Sequence, residues 1–557
     1  MPQDNIRCPG LTSGAQEIHM LAKDLPKQMT VFYYKQAMQL IWVVFAGGTG
    51  TGKSTLFNAF CGKQLSGTGL ERPKTSGPIV YAHRDCLIEK KFPIPLIRIE
   101  RLNADDIDGG PVTGNPGRLM ILEHNREEWS HFIVTDTPDL DSVEVENRRI
   151  TEDLYLMSDL VVFITSEEKY ADDVPYQFLM RIISEKKPYF FLLNKARGEL
   201  VGEEVTDTLS SRQISINKDR MWLIPNVSSD PAESISKDPA FRDFRRALTL
   251  ELSAEGLENL LKAERSRRAE ELNSRLARLL LLLDEENQAA KSWSDRLETL
   301  CRNTCQDFLK NQRERFASDS QEYLKKEIRK LFAKYDVLSK PRGFVRNIIL
   351  TPFRLLGIIR QSVPGSSEEV LLKVQKKIDL SPVQAALERF NRLVLEELSP
   401  PDENAPLFKG LRQPEVMLTD EEIKERIWEE QEKLAVWLSE TFEELSRGIP
   451  KTKEWGIYST SILWGILILS LETVIGGGFT IIDAALDSAL APFVTKGAVE
   501  LFAYNEIRKI ARELAERYQE GFLAVVRHQR ARYELCLDSL MITPEALASL
   551  RAVNFEA

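Results

Sequence analysis

The run Gly47-Gly48-Thr49-Gly50-Thr51-Gly52-Lys53-Ser54 constrains this chain more than any other part of it. It fits the pattern GxxxxGK[ST], with an apolar run at residues 41–46 before it and a helical stretch at 55–60 after it. The order is strand, tight loop, helix. Gly47 and Gly52 let the main chain wrap closely around phosphate oxygens with amide N–H groups turned inward, and the helix N-terminus adds its dipole. Gly48, Thr49, Gly50 and Thr51 complete the cradle, and Thr55 continues the helix. Lys53 brings a point charge to the β- and γ-phosphates, and the Ser54 hydroxyl is suited to ligate Mg²⁺. The bland alternative, a glycine-rich turn with no ligand, leaves eight matched positions unexplained. A nucleoside triphosphate site is predicted.

The pattern around the loop is consistent with that reading. Up to about residue 245, short apolar runs at 41–46, 79–81, 96–99, 119–122, 132–134, 160–164, 189–193 and 222–224 alternate with amphipathic stretches such as 176–184. Runs of this length, rich in Val, Ile and Phe, predict buried strands and hence an α/β domain with a mostly parallel sheet and helices on both faces. Beyond residue 250 the period changes. Leu272, Leu276, Leu279 and Leu283 recur at helical spacing among Arg and Glu, and similar patterns run through 297–331, 370–398, 423–445 and 507–526. Long amphipathic helices in an all-α stalk or bundle are expected there. The predicted division is an N-terminal helical segment at 1–40, the phosphate-loop domain at 41–245, the stalk at 246–454, an apolar hairpin at 455–500 and a helix returning to the bundle at 501–557.

Composition narrows the partners. Lys plus Arg number 74 against 84 Asp plus Glu, a formal net charge of -10, so the chain as a whole lacks the positive field of a nucleic-acid binder and no nucleic acid is expected. Six scattered cysteines do not make a disulfide framework and fit reduced thiols in a cytosol. Cys301 and Cys305 share a helix face with no second pair of ligands near them, which reads as a small buried face rather than a zinc site. The five histidines form no HExxH cluster, and the first 30 residues show no secretory signal.

The continuation Lys53-Ser54-Thr55-Leu56-Phe57-Asn58-Ala59 resembles the KSTLxNA run of the translation-factor class of P-loop GTPases, above all Era-like and dynamin-like members. Further elements follow in that family's order. Arg72-Pro73-Lys74-Thr75-Ser76-Gly77-Pro78 resembles switch I, which implies that Thr75 reaches Mg²⁺ and the γ-phosphate. Asp136-Thr137-Pro138-Asp139 resembles the DxxG of switch II, which implies a carboxylate at Asp136 holding a Mg²⁺-bound water and Asp139 near the γ-phosphate. Asn194-Lys195-Ala196-Arg197 resembles NKxD, and Val227-Ser228-Ser229 the looser fifth motif, which puts Asn194, Lys195 and Ser228 at the base. The resemblance implies GTP and GDP as ligands, Mg²⁺ as cofactor and Lys53 with Thr75 as the groups that favour hydrolysis.

Three departures from the family pattern carry chemistry. Asp139 stands where the family has Gly. Arg197, which has only donors, stands where an Asp accepts from guanine N1 and N2, so base discrimination loses a partner. Leu140 follows the DxxG position, where some members carry a water-orienting Gln, and Gly50 stands where dynamin-like relatives commonly carry Ser or Asn. With no evident catalyst, slow hydrolysis is expected unless a backbone group, a water or a second protomer helps.

From 455 to 482 the only charged side chain is Glu472. The stretch is long enough to span a bilayer, but a central glutamate costs ~2–3 kcal/mol or more. Gly476-Gly477-Gly478 breaks it as a hairpin tip would, and the second arm carries Asp483 and Asp487 on one helical face. Three readings stand: a hairpin buried in the bundle, a single transmembrane helix, or a membrane-inserting paddle like those of bacterial dynamin-like proteins and mitofusins. The joint presence of GTPase head, stalk and apolar hairpin favours the paddle. Lys451, Lys453 and Lys496 flank it, as expected for termini on a cytoplasmic face. Residues 342–360 interleave four arginines with Phe, Ile and Leu, and suit either an anionic lipid surface or a connector packed on the stalk.

Two functions follow, with a third, a nucleotide-binding scaffold without turnover, left open by Asp139, Leu140 and Arg197. One is a slowly hydrolysing dynamin-like GTPase, a homodimer or higher oligomer through its nucleotide domain, on the cytoplasmic face of a membrane and in contact with lipid. The other is a soluble Era-like regulatory switch that docks a protein or ribonucleoprotein partner.

Overall fold

The computed structural model describes residues 6–68, 77–90, 92–94, 97–107, 110–115, 117–142, 145–170, 172–198, 200–212, 214–226, 231–319, 381–447 and 498–556. These divide into two compact units, one made of Met1–Gln3, His19–Leu280 and Glu545–Ala557, the other of Asp4–Ile18 and Leu281–Pro544.

The first unit is built on a sheet of eight strands among the described residues. In chain order its elements are α1 (Ala15–Ala37), β1 (Ile41–Gly47), α2 (Lys53–Cys61), β2 (Ile79–His83), β3 (Arg98–Asn103), β4 (Arg118–His124), β5 (Phe132–Asp136), α3 (Val145–Met157), β6 (Leu160–Ser166), α4 (Asp173–Ser184), β7 (Tyr189–Ala196), α5 (Leu200–Ser211), β8 (Met221–Pro225), α6 (Pro231–Lys237), α7 (Pro239–Glu251) and the start of α8 (Ala254–Asp319). The strands lie in the order β3-β4-β2-β5-β1-β6-β7-β8. Pairing is parallel throughout except between β2 and β5, so β2, β3 and β4 run against the other five.

Every residue of β1 is buried, which is why its sequence is an unbroken apolar run and not an alternating one. Ile41, Val43 and Phe45 pack with Leu56, Phe57 and Phe60 of α2 and Phe241 and Phe244 of α7. On the opposite face Trp42 packs with Val31 and Tyr34 of α1, while Val44 and Ala46 meet Phe163, Phe178 and Leu179. Each such side chain contributes about 1.5–3 kcal/mol by leaving water. Its neighbours β5 and β6 leave β1 at the point where strand order reverses, and in open α/β sheets ligands bind beyond the C-terminal strand ends at that point.

The runs foreseen in the sequence became strands, with one shift. The run at 96–99 lies at the sheet edge and pairs as Arg98–Asn103, because its register is set by β4, with Arg98 opposite Arg118. Arg101 of this strand is paired with Glu89 and Glu123. Charge of this kind on an edge strand discourages pairing with another chain.

At the N-terminal end of β6, Asp159 is buried and accepts the Trp42 amide at 2.8 Å, the Lys35 ammonium and an Arg268 N–H at 3.0 Å. Arg268 of α8 also donates to the carbonyls of Leu156 at 2.8 Å and Ser158 at 2.6 Å. Burial pulls the Lys35 ammonium down to about 8, against the attraction of Asp159. A buried acid with two cations and an amide around it fastens α1 and the start of α8 to the sheet; removing one partner would strand a charge.

The second unit is helical: the rest of α8, α9 (Ser381–Glu397), α10 (Pro406–Gly410), α11 (Asp420–Arg447) and α12 (Ala498–Leu540); α13 (Pro544–Arg551) belongs to the first unit from Glu545 on. Its core gathers Trp293, Leu297, Phe308, Phe390, Leu407, Ile423 and Tyr533, and both Cys301 and Cys305 lie in it, so the cysteine face is core. The Trp293 indole N–H donates to the Leu398 carbonyl at 2.8 Å, and Gln529 accepts the Leu418 amide at 3.0 Å and donates to Val416 at 2.8 Å. Glu286 collects the amides of Gly10, Leu11 and Thr12 and the Thr12 hydroxyl.

The apolar stretch at 455–482 and the arginine-rich stretch at 342–360 lie outside the described residues. Among the described residues no helix is long and apolar enough to cross a membrane.

His83 and His124 face each other in register at the ends of β2 and β4. The amides of Asp85 and Arg126 donate to their Nδ1 atoms, and both Nε2 atoms are buried with no hydrogen bond among the described residues, although Glu127 lies 3.8 Å from that of His83. Burial, with His83 and Arg126 nearby, lowers the His124 pKa to about 4. A histidine kept neutral when folded costs stability as soon as the unfolded chain takes up its proton. Stability should therefore hold above about pH 6.5 and fall by up to about 3 kcal/mol toward pH 4. Denaturant unfolding at several pH values checks this, with His124→Phe expected to flatten the slope.

Candidate functional site

The phosphate loop leaves β1 at Gly47, whose register partner is Ile164 of β6. A Cβ at Gly47 would run into the Ile164 carbonyl, so only glycine lets the chain turn there with β6 in place. Gly50 (φ 74°) and Gly52 (φ 91°) take the left-handed conformation that L side chains resist. Gly52 is the N-cap of α2 and offers no side chain, so helix geometry leaves the first-turn amides turned toward the loop rather than toward helical acceptors.

Inside the loop, the Thr51 hydroxyl donates to the Gly48 carbonyl at 2.9 Å and Lys53 Nζ donates to the same oxygen at 3.3 Å. Lys53 is buried and its ammonium is paired with Asp139. The Thr49 amide and hydroxyl both donate to Asp141 Oδ1 at 2.6 Å. Burial alone would raise the Asp141 carboxyl, but the two bonds from Thr49, its own amide and the Lys53 charge together hold the group below its ordinary value.

Asp136 ends β5 and is fully buried. Its Oδ2 accepts from Ser54 Oγ and from Ser66 Oγ, each at 2.7 Å, while Oδ1 has no partner among the described residues. Burial pushes the Asp136 carboxyl up, against the Lys53 charge and the two hydroxyl bonds.

The NKxD-like segment comes from the end of β7. A bulge between Asn194 and Ala196 breaks the β7–β8 register, and Lys195 there has φ 61°. Bulges redirect side chains, and this one sends Lys195 Nζ to the Gly50 carbonyl at 2.7 Å. Asn194 Nδ2 donates to the Thr51 carbonyl at 2.8 Å, and a Cβ on Gly52 would collide with that amide. Arg197 meets Glu168 at 3.2 Å with both side chains largely exposed, a pair worth at most about 1 kcal/mol. Leu140 is buried with Tyr155, Phe163 and Phe178, and its amide donates to the Gly47 carbonyl at 3.2 Å.

Of the residues the sequence singled out, Gly47 through Thr55, Asp136, Asp139, Asn194 and Lys195 thus come from the ends of β1, β5 and β7 and the start of α2. Thr75 and Ser228 lie outside the described residues. Three contributors were missed. Asn58, on the otherwise apolar face of α2, accepts the amides of Leu65 and Ser66 and donates to the Ser66 carbonyl, which carries Ser66 to Asp136. An asparagine in a buried helix interior was the available signal. Ser66 and Asp141 gave none, since each acts across a fold-dependent distance.

Residues 42–195 match the family model described as 50S ribosome-binding GTPase. With the loop geometry above, this segment has the fold and phosphate loop of a P-loop GTPase domain. An uncharacterized protein in the xynA 3' region of Caldicellulosiruptor sp. (strain Rt8B.4) is 25% identical over 235 residues, 39% of this chain and 55% of that one. The chain thus spans about half the length of that curated relative. Two solved chains described as an oligomerised bacterial dynamin pair, with a mechanism for long-range sensing and tethering of membranes, are similar at TM-scores of 0.30 and 0.28. The first is 14% identical, covering 93% of this chain and 83% of its own; the second is 15% identical, covering 72% and 79%.

Gly52→Ala should add about 1–2 kcal/mol of backbone strain and push Asn194 off the Thr51 carbonyl. Nucleotide affinity by calorimetry is expected to fall at least about tenfold with far-ultraviolet circular dichroism unchanged.

Proposed function

We propose that the chain is a guanine-nucleotide switch that binds GTP with Mg²⁺, hydrolyses it slowly and passes its nucleotide state through the helical region to a membrane-contacting hairpin at 455–500. The observation that carries the nucleotide part is the convergence of Lys53, Ser54, Asp136 and Asn194 on one loop. Asp136 Oδ1, buried beside the Ser54 hydroxyl with no hydrogen-bond partner among the described residues, suits Mg²⁺, which keeps waters and phosphate oxygens and takes one or two carboxylates. Ser54 and Asp136 would hold the ion, with Thr75 as a third group on the family resemblance. The bound ion would neutralise charge on the phosphates.

The rest of the work falls to the chain. The loop amides and Lys53 fix the phosphates and offset the charge that builds on them during transfer. Asn194 and Lys195 position the loop from the base side, with Ser228 assigned to the base by resemblance. Buried Leu140 cannot orient an attacking water, which supports slow turnover and a head-to-head dimer or higher oligomer that supplies the missing groups. For guanine, the missing Asp acceptor at Arg197 leaves selectivity to Asn194 and the fifth motif. The stretch at 455–482, uncharged but for Glu472, with its basic flanks supports lipid contact from the cytoplasmic side.

The family match favours a second reading, a regulatory switch of the Era type that docks a protein or ribonucleoprotein partner.

Calorimetry with GTP, GDP and ATP in Mg²⁺ should give heat for the guanine nucleotides. Lys53→Ala should weaken GTP at least about tenfold and abolish phosphate release. Silence with all three nucleotides overturns the reading. Full-length protein should also pellet with anionic vesicles, and Ile466→Asp should leave it in the supernatant. No pelleting in any nucleotide state removes the membrane claim and leaves the docking switch.

A further inference from the structure

Two carboxylates of the segment after β5 occupy donors of the phosphate loop. Asp139 pairs with the ammonium of Lys53, and Asp141 Oδ1 takes both the amide and the hydroxyl of Thr49 at 2.6 Å. Lys53 is 4% exposed, and among the described residues its ammonium otherwise donates to the Gly48 carbonyl at 3.3 Å. Asp139, at 27% exposure, is the more accessible partner and approaches from the solvent side. A carboxylate here offers what a terminal phosphoryl group would offer: anionic oxygens for the same ammonium.

We infer that Asp139 is a specificity-determining residue that stands in for the terminal phosphate on Lys53 and biases the site toward nucleoside diphosphate over triphosphate. This rests on the nucleotide reading above and goes beyond it. A lysine ammonium has three N–H donors. With a diphosphate, Lys53 keeps Asp139 on one and has others for a β-phosphate oxygen. A triphosphate brings a further anionic group to the same ammonium, so it must displace Asp139 or lie beside it with like charges in contact. Because Lys53 is buried, solvent and salt screen that conflict poorly. A glycine at this position presents no such rival, and the main-chain amide is the same in both cases. Asp141 reinforces the arrangement by holding the segment on Thr49, with Leu140 between them tied to Gly47.

The test uses full-length protein and two variants, Asp139→Asn, which keeps shape and removes charge, and Asp139→Gly. Dissociation constants for GDP and for the slowly hydrolysed guanosine 5'-(β,γ-imido)triphosphate are measured by calorimetry, with Mg²⁺ and again with excess chelator. The triphosphate-to-diphosphate ratio of dissociation constants should fall roughly 10- to 100-fold in both variants, the range expected for one charge-assisted hydrogen bond. The shift should persist with chelator, since the competition is for Lys53. If wild type and variants bind both nucleotides with the same ratio, the role of Asp139 is overturned and the nucleotide site stands. If wild type binds neither nucleotide while remaining folded, the site reading itself is overturned, and this inference with it.

Discussion

The close passage of Gly47 against the Ile164 carbonyl is the contact on which the site depends. It exists because β1 is inserted between β5 and β6 and buried on both faces, so the strand has no freedom to rise away from its neighbour. A turn begun that close to a parallel strand must be made without side chains, and the left-handed Gly50 and Gly52 complete it. Sheet packing thus fixes where the loop begins, and bonds within it and from Asp141, Asn194 and Lys195 hold its shape. Core substitutions that shift β1 against β6 change the room left for Gly47 beside the Ile164 carbonyl.

The electrostatics of the loop are unusual in their balance. One buried ammonium faces three carboxylates, at Asp136, Asp139 and Asp141, each held by a different donor. Asp136 is the deepest and the one with an unsatisfied oxygen, while Asp141 is held ionised by Thr49. A polyanionic ligand entering this site does not meet a simple positive cradle. It meets donors already occupied by acids, and its affinity is the difference between two sets of similar bonds.

Much of this was legible in the chain. Eight apolar runs became eight strands, most plainly at β1, β2, β5 and β6, where burial of every residue leaves a strong compositional trace. The loop, Asp136 and Asn194 were readable because each is tied to a strand end at a fixed spacing. The antiparallel turn of β2 was not, since an apolar run has no direction. Nor was the shift of β3, whose register belongs to its pairing with β4. Asp141 and Ser66 were missed for a related reason: a carboxylate that grips a loop 92 residues away, and a hydroxyl 70 residues from its acceptor, leave no local pattern. The position of Asp139 was flagged by its departure from the family pattern, but its partner, Lys53, became evident only when β5 and α2 were seen side by side.

Asn194 has a double attachment. Its side chain sits against Gly52 and holds the Thr51 carbonyl, while its neighbour Lys195 reaches Gly50. Both residues brace the loop before any base arrives. Arg197, the motif position that would serve the base alone, has no such duty and rests on an exposed glutamate. The four-residue signature thus divides into a scaffold half and a reader half, and this chain has the scaffold without the expected reader. An exchange at position 197 leaves the braces of the loop in place, whereas one at Asn194 removes the bond that holds the Thr51 carbonyl.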